Sequence, residues 1–359
     1  MRRSPVDYEL YNIRCESIDK CVGDFMRGDF LVVGQFTLGG REDFVYGDHY
    51  EHREPFLRVQ LEGIAKTLAA YNDWVPYLEP WLGVGVYAEA FGCPFHTSPG
   101  GAPWTEKIIH CADDMKRLEK PDINRAEMLQ KVLELTLYFN EQTQGEIAIS
   151  ATDTQSALGT LACMSDMTWM LSYAWDYPEE FHRVLGLITD LIIEFTLLQR
   201  TYCDKPAMPG HTMWSPPSFT GISVSDDMLN VVGAGFYEEF GMPYDQKLAD
   251  ALGGIGVHSC GPWPHNFKSA QKLNNFIMAD LAVSKHFDPI PNDIGKVVAG
   301  FQGTGAAVQI RCDPDPDLLA PLLASDVRAI LSLFWDEDPA QRDKSYREIK
   351  NKWESYRGG

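Results

Sequence analysis

Short apolar runs alternate along the chain with longer stretches whose apolar positions recur every three or four residues. Runs at 30–36 (FLVVGQF), 146–153 (EIAISATD), 255–260 (IGVHSC), 276–281 (FIMADL), 306–312 (AAVQIRC) and 327–334 (VRAILSLF) predict strands, most of them apolar on both faces, as strands covered by helices must be. Helices are predicted at 58–71, 125–142, 178–199, 244–252 and 339–353. In the first, Val59, Ile64 and Leu68 fall near helical spacing and form a packing stripe. Two stretches read as loops, 96–104 (HTSPGGAPW) and 204–221 (DKPAMPGHTMWSPPSFTG), the second long enough to be a lid or the wall of a site. Strand and helix alternate from end to end, so the expected class is α/β with a parallel sheet. A closed (β/α)8 TIM barrel with an N-terminal helical extension at 1–29 suits 359 residues better than an open doubly wound sheet, since such barrels run from roughly 200 to over 400 residues as one unit. One barrel domain over 1–359 is therefore expected.

Composition narrows the partners. The chain has 31 Lys plus Arg against 51 Asp plus Glu, a net charge of −20, which repels phosphate backbones and anionic lipid and argues against nucleic-acid and membrane partners. No stretch approaches the roughly 18 uninterrupted apolar residues of a membrane span. No apolar run follows the basic pair Arg2-Arg3, so neither a secretory signal nor a transit peptide is expected, and the expected location is cytoplasmic. The 8 Cys are dispersed without a CxxC pair and read as mostly reduced, buried thiols. The sequence has no GxGxxG, GxxxxGK[ST], GxSxG or HExxH, which leaves no nucleotide or hydrolase fingerprint. It also has no DxHxxG run of the kind that supplies a lower axial His to a corrinoid, so a cofactor of that sort would arrive on another protein.

The sharpest chemical feature is Val257-His258-Ser259-Cys260-Gly261, at the end of an apolar run. On a strand, residues i and i+2 share a face, so His258 and Cys260 project together, and at the C-terminal end of a barrel strand that face can open on an active site. Imidazole and thiolate are ligands that zinc prefers; a buried thiol beside a hydrogen-bonded His is the plainer reading. A catalytic zinc takes three protein ligands, and Cys312, which also ends an apolar strand, is the best third candidate, with Glu79, Glu89, Asp153 and Asp226 as carboxylate substitutes. Asp226 has two readings, as part of a helix cap in Ser225-Asp226-Asp227 or as an acid, base or ligand facing the site. Trp214, with Phe219, Phe236 and Tyr237, could wall a pocket or simply fill core.

From Ser225 onward, SDDMLNVVGAGFYEEFGMPYDQKLADALGGIGVHSCGP resembles the uroporphyrinogen decarboxylase superfamily, which includes methylcobamide:coenzyme M methyltransferases. YNDWVPYLEPWLGVGVYAEAFGCPF and SATDTQSALGTLACMSDMTWMLSYAWDYPEEFHRVLGLIT are similar to earlier segments of that superfamily, although Ala157 stands where the second usually has Pro. The resemblance implies a (β/α)8 barrel and one of two chemistries. In the decarboxylases an N-terminal RQAGR-type motif binds a tetrapyrrole; here Thr37-Leu38-Gly39-Gly40-Arg41 keeps only the second Arg, while Asp73 resembles the pyrrole-facing Asp. In the methyltransferases, zinc on the HxC pair and a later Cys binds a thiol or polarises a substrate, and a methyl group moves to or from cobalt on a separate corrinoid protein. His258 and Cys260 match that motif, whereas 327–339 (VRAILSLFWDEDP) has no Cys where the third ligand is expected. The resemblance thus implies a corrinoid-linked methyltransferase acting on a small methylated compound or thiol, with His258, Cys260 and Cys312 or a carboxylate on zinc, and Asp226 or Glu79 assisting. Trp214, Asp153 and Gln155 would surround the substrate. The alternatives are a metal-independent decarboxylase using Asp73 and Arg41, and a non-catalytic barrel that binds a tetrapyrrole or a corrinoid protein. Family members are often dimeric, so a homodimer is expected.

Overall fold

The computed structural model describes residues 4–35, 48–98 and 101–357. Its strands are β1 (Val32–Gln35), β2 (Phe95–Ser98), β3 (Gly101–Thr105), β4 (Ile149–Ser150), β5 (Pro206–Ala207), β6 (Ile222–Ser225), β7 (Ile255–His258), β8 (Phe276–Ala282), β9 (Ala307–Cys312) and β10 (Arg328–Leu333). Six of them form one parallel sheet in the order β1-β10-β9-β8-β7-β6. Irregular segments carry the ring from β6 back to β1: Gln155 bridges Ser225, β5 pairs β4, Ile149 bridges Leu78, and the Asp73 amide donates to the Val33 carbonyl. The fold is TIM-barrel-like α/β, as the alternating pattern predicts.

Strand alternation sorts the side chains into two layers. Val308, Ile310 and Cys312 of β9 face outward into the large core shared with the helices, where Leu129, Leu185, Ile188 and Leu248 also pack. Val32, Met278, Ala307 and Ile330 face inward and form a separate cluster with Trp74, Met213 and Trp214. The N-terminal helix Tyr8–Arg27 adds Ile18 and Phe25 to this inner cluster, and Phe25 meets Trp214 edge to face at 5.1 Å. It thereby covers the barrel end from which the strands start.

The predicted helices correspond to Arg53–Ala69, Glu127–Thr143, Pro178–Arg200, Met242–Leu252 and Pro339–Ser355. Three expectations need correction. The stretch 96–104 is largely a β-hairpin, β2 pairing β3, rather than a loop. The run at 146–153 supplies only the two-residue β4, while β6 is a strand within a segment whose Ser and Asp residues suggest a helix cap. The stretch 204–221 does not lie over the barrel; its middle enters it. Trp214 is fully buried there, its Nε1 donating to the Asp73 carbonyl at 3.0 Å, so it fills core and does not wall a substrate pocket. Gly256 allows this insertion, because a Cβ on it would lie 2.3 Å from Met213 Sδ.

Asp73 belongs to the opposite end of the barrel from His258. Its Oδ2 accepts the Val33 amide at 2.9 Å and pairs with Lys350 Nζ at 2.7 Å, and its Oδ1 accepts the Tyr346 hydroxyl at 3.0 Å. Both partners stand on the helix Pro339–Ser355, so this carboxylate fastens that helix beside the start of β1. Arg41 lies outside the described residues. Among the described residues, no helix is long and apolar enough to cross a membrane.

Candidate functional site

At the C-terminal ends of the strands the inward positions turn polar. His258 ends β7 and Asp280 is its register partner on β8; Gln309 and Arg311 follow on β9. His258 Nδ1 lies 2.7 Å from Asp280 Oδ2, an oxygen that Arg311 Nε approaches at 3.5 Å, and Gln309 Nε2 donates to Asp280 Oδ1 at 3.0 Å. Burial pushes the Asp280 carboxyl up, but Arg311 and His258 more than reverse this and hold it below the usual range. An ionised Asp280 favours a proton on Nδ1, which leaves the lone pair on Nε2; Arg311 Nη2 stands 3.0 Å from Nδ1 and 3.4 Å from Nε2.

That nitrogen lies 3.5 Å from Cys260 Sγ. Beyond β7, Gly261 adopts φ 73°, and Cys260 is steered by its neighbours: its amide donates to Asp227 Oδ1 at 2.7 Å, and the Gly261 amide donates to Asp288 Oδ2. Asp227, His258 and Cys260 each offer one ligand atom, all within 4.8 Å of one another. Bonds of about 2.0–2.1 Å to nitrogen and 2.3 Å to sulfur at a tetrahedral angle place the two donors about 3.5 Å apart, so the imidazole and thiol already stand at zinc spacing. Burial pushes the Cys260 thiol up to about 11, Asp227 adding to the effect and Arg311 opposing it. Cys260 on its own is therefore a thiol at neutral pH; a bound cation would remove its proton.

Of the expected ligands, Cys312 does not join this group. Strand alternation sends Arg311 inward and Cys312 outward, where the thiol is fully buried and burial pushes its pKa up. Cys312→Ala is expected to leave bound zinc unchanged while costing about 1–2 kcal/mol of stability, checked by metal analysis and urea unfolding. Asp226 is likewise on the outer side: its Oδ1 accepts the Met228 amide at 3.1 Å at the head of the short helix Met228–Val231, and burial and Asp245 hold its carboxyl well above the usual range. The capping role describes Asp226, and its neighbour Asp227 takes the place facing the site.

A second polar group lies in the same layer. His211, in the segment that enters the barrel, places Nδ1 2.5 Å from Glu79 Oε1 and Nε2 3.4 Å from Asp153 Oδ1. Asp153 also receives Trp81 Nε1 at 3.2 Å, Ser225 Oγ at 3.2 Å and Gln155 Nε2 at 3.3 Å. Burial lowers the His211 pKa, but Asp153 and Glu79 reverse this and raise it to about 9, so an imidazolium bridges two carboxylates. The two polar groups are joined, since Gln309 Nε2 donates to the Thr212 carbonyl as well as to Asp280. Glu79, Asp153 and Gln155, three of the candidates named from the sequence, lie in this polar layer together with His211, and Asp227 stands beside His258; the sequence does not single out His211 or Asp227.

Above Cys260 opens a cavity of about 560 Å³, lined by Gln155, Asp227, Cys260 and Asp288 together with Val84, Cys163, Met167, Phe287 and Ile290. It is large enough for a small organic substrate beside the Asp227, His258 and Cys260 group.

Residues 82–202 match the uroporphyrinogen decarboxylase (URO-D) family. The matched span includes the segment around Asp153 and Gln155 and ends before His258. A methyltransferase from Methanosarcina mazei has a similar structure, with a TM-score of 0.60 over 94% of this chain and 98% of that chain at 12% sequence identity. No curated protein matches the chain. The resemblance read from the sequence and the α/β barrel it implies are both borne out.

Proposed function

For a chain that resembles the uroporphyrinogen decarboxylase superfamily and has such a barrel mouth, we propose the function of a corrinoid-linked methyltransferase, moving a methyl group between a small methylated compound or thiol and a separate corrinoid protein. The observation that carries this reading is the approach of His258 Nε2 to Cys260 Sγ at 3.5 Å, with Asp227 beside them at a cavity. The name of the structurally similar methanogen enzyme supports it. The decarboxylase alternative draws no support from Asp73, which is held by Lys350 and Tyr346 at the far end of the barrel.

The chain's own residues have separable tasks. Asp280 fixes the tautomer and orientation of His258, and Arg311 keeps that carboxylate ionised. Cys260 and Asp227 supply the remaining donors, and Val84, Met167 and Ile290 give the cavity apolar walls. Zinc bound there would stabilise a substrate thiolate or polarise a substrate. On this reading, zinc-loaded protein given a methylated donor methylates added cob(I)alamin, or with a thiol acceptor demethylates methylcobalamin. Cys260→Ser is expected to slow that transfer by at least about 100-fold. Transfer unaffected by both Cys260→Ser and a chelator would contradict the proposal.

A further inference from the structure

Gln155 lines the cavity yet has no part in the Asp227, His258 and Cys260 group. The residue is 7% exposed, and its Nε2 is tied to Asp153 Oδ1 at 3.3 Å, while its Oε1 makes no hydrogen bond with any described residue. Charge fixes which end of the amide faces where. An ionised carboxylate only accepts, so the NH2 group must face Asp153 and the carbonyl oxygen is left for the cavity. Asp153 cannot turn away to release it, because Trp81 Nε1, Ser225 Oγ and His211 Nε2 hold its two oxygens. His211 has a carboxylate against each ring nitrogen and so carries a proton on both.

The other charged groups on the cavity wall are acceptors as well. Asp227 Oδ1 takes the Cys260 amide, and Asp288 takes the amides of Gly261 and Ile290. Zinc on Asp227, His258 and a Cys260 thiolate would leave that group neutral, so Asp288 would be the remaining charged side chain on the cavity wall, with the Gln155 carbonyl and the Asn230 amide as its other polar groups.

We propose that the Gln155 carbonyl, with the Asp288 carboxylate on the same cavity wall, makes Gln155 a specificity determinant, and that it selects as the methyl-bearing substrate a small alkylated ammonium retaining at least one N–H. The inference rests on the methyltransferase reading and names its substrate class. The N–H donates to Gln155 Oε1, the positive charge is matched by Asp288, and the alkyl groups lie against Val84, Met167 and Ile290.

The test is calorimetric titration of the full-length protein, metal-free and zinc-loaded, with trimethylammonium, with tetramethylammonium, which lacks an N–H, and with acetate. Trimethylammonium is expected to bind at least about tenfold more tightly than tetramethylammonium, and acetate not at all. Gln155→Leu should erase the difference between the two cations, whereas Gln155→Glu, which keeps an acceptor, should preserve or enlarge it; near-UV circular dichroism reports the fold of both. Equal affinity for the two cations in the unaltered protein, a preference that survives Gln155→Leu, a preference lost in a folded Gln155→Glu, or tighter binding of acetate overturns the inference. Cation selectivity without methyl transfer to cobalamin from any donor would end the methyltransferase reading and leave the cation site standing. Transfer from methoxy or methylthio donors alone would do the reverse.

Discussion

Replacing His258 with Ala is expected to lower bound zinc from about one ion per chain to a small fraction, and to slow methyl transfer by at least about 1,000-fold. Two donors, Cys260 and Asp227, would remain, and an open catalytic site needs three. The neighbours of His258 make the expectation graded. Asp280→Asn removes the charged acceptor that selects the Nδ1–H tautomer, and a change of this kind costs about 10- to 100-fold in metal affinity. Asp227→Asn should weaken zinc binding as well. Asp226→Asn should not, because that side chain points to the outer layer, where burial and Asp245 push its carboxyl well above the usual range. Adjacent residues of identical type thus give opposite results. Elemental analysis of the four purified variants, with transfer rates on the same samples, checks the series; equal zinc loss in Asp226→Asn and Asp227→Asn would show that the alternation between them has been misassigned.

Folding stability is expected to decline as pH rises from about 6.5 to about 9, by about 3 kcal/mol from His211 alone. The folded chain holds the imidazolium between Asp153 and Glu79 with a pKa of about 9, whereas the unfolded chain releases the proton near 6.5. The contribution is therefore complete below about 6.5 and lost as pH passes through 9. Asp280 also acts on His211 electrostatically and favours the charged form. The buried Asp245 carboxyl, raised to about 7, acts in a lower window: its contribution is present below the unfolded value of 3.8 and is gone above about 7, so the two slopes separate. Urea midpoints measured from pH 5 to 9.5 read this directly. His211→Gln should be less stable at pH 6, with Glu79 and Asp153 left facing each other, and should lack the alkaline slope. An unchanged slope in that variant would mean that the imidazolium is not held in the folded chain.

The barrel was legible because its signal is spread over many residues. Inward and outward positions of β7 to β10 are all covered, so the strands read as apolar runs, and the helices between them keep their own period. β5 was not legible, and the run at 146–153 marks β4 but overstates its length, because two residues of pairing leave no period to detect. At the site, the i, i+2 rule places His258 with Cys260 but does not reach Asp227, which lies two residues past the end of β6 and already has helical backbone angles. The same rule removes Cys312, since it must face away from its neighbour Arg311, which reaches His258. The placements of Cys260 and Cys312 were recoverable by counting along the strands. His211 was not: it lies in a segment rich in Pro and Gly with no regular period, at φ 24°, and only tertiary structure carries it to Glu79 and Asp153.

The most direct measurement of the central claim is anomalous scattering at the zinc edge from crystals of zinc-loaded protein. The predicted result is a peak about 2.0–2.1 Å from His258 Nε2 and about 2.3 Å from Cys260 Sγ, with an Asp227 oxygen completing the protein ligands and the remaining position open to the cavity. A fully loaded crystal with no peak between these residues, or with its peak at Cys312, would contradict it.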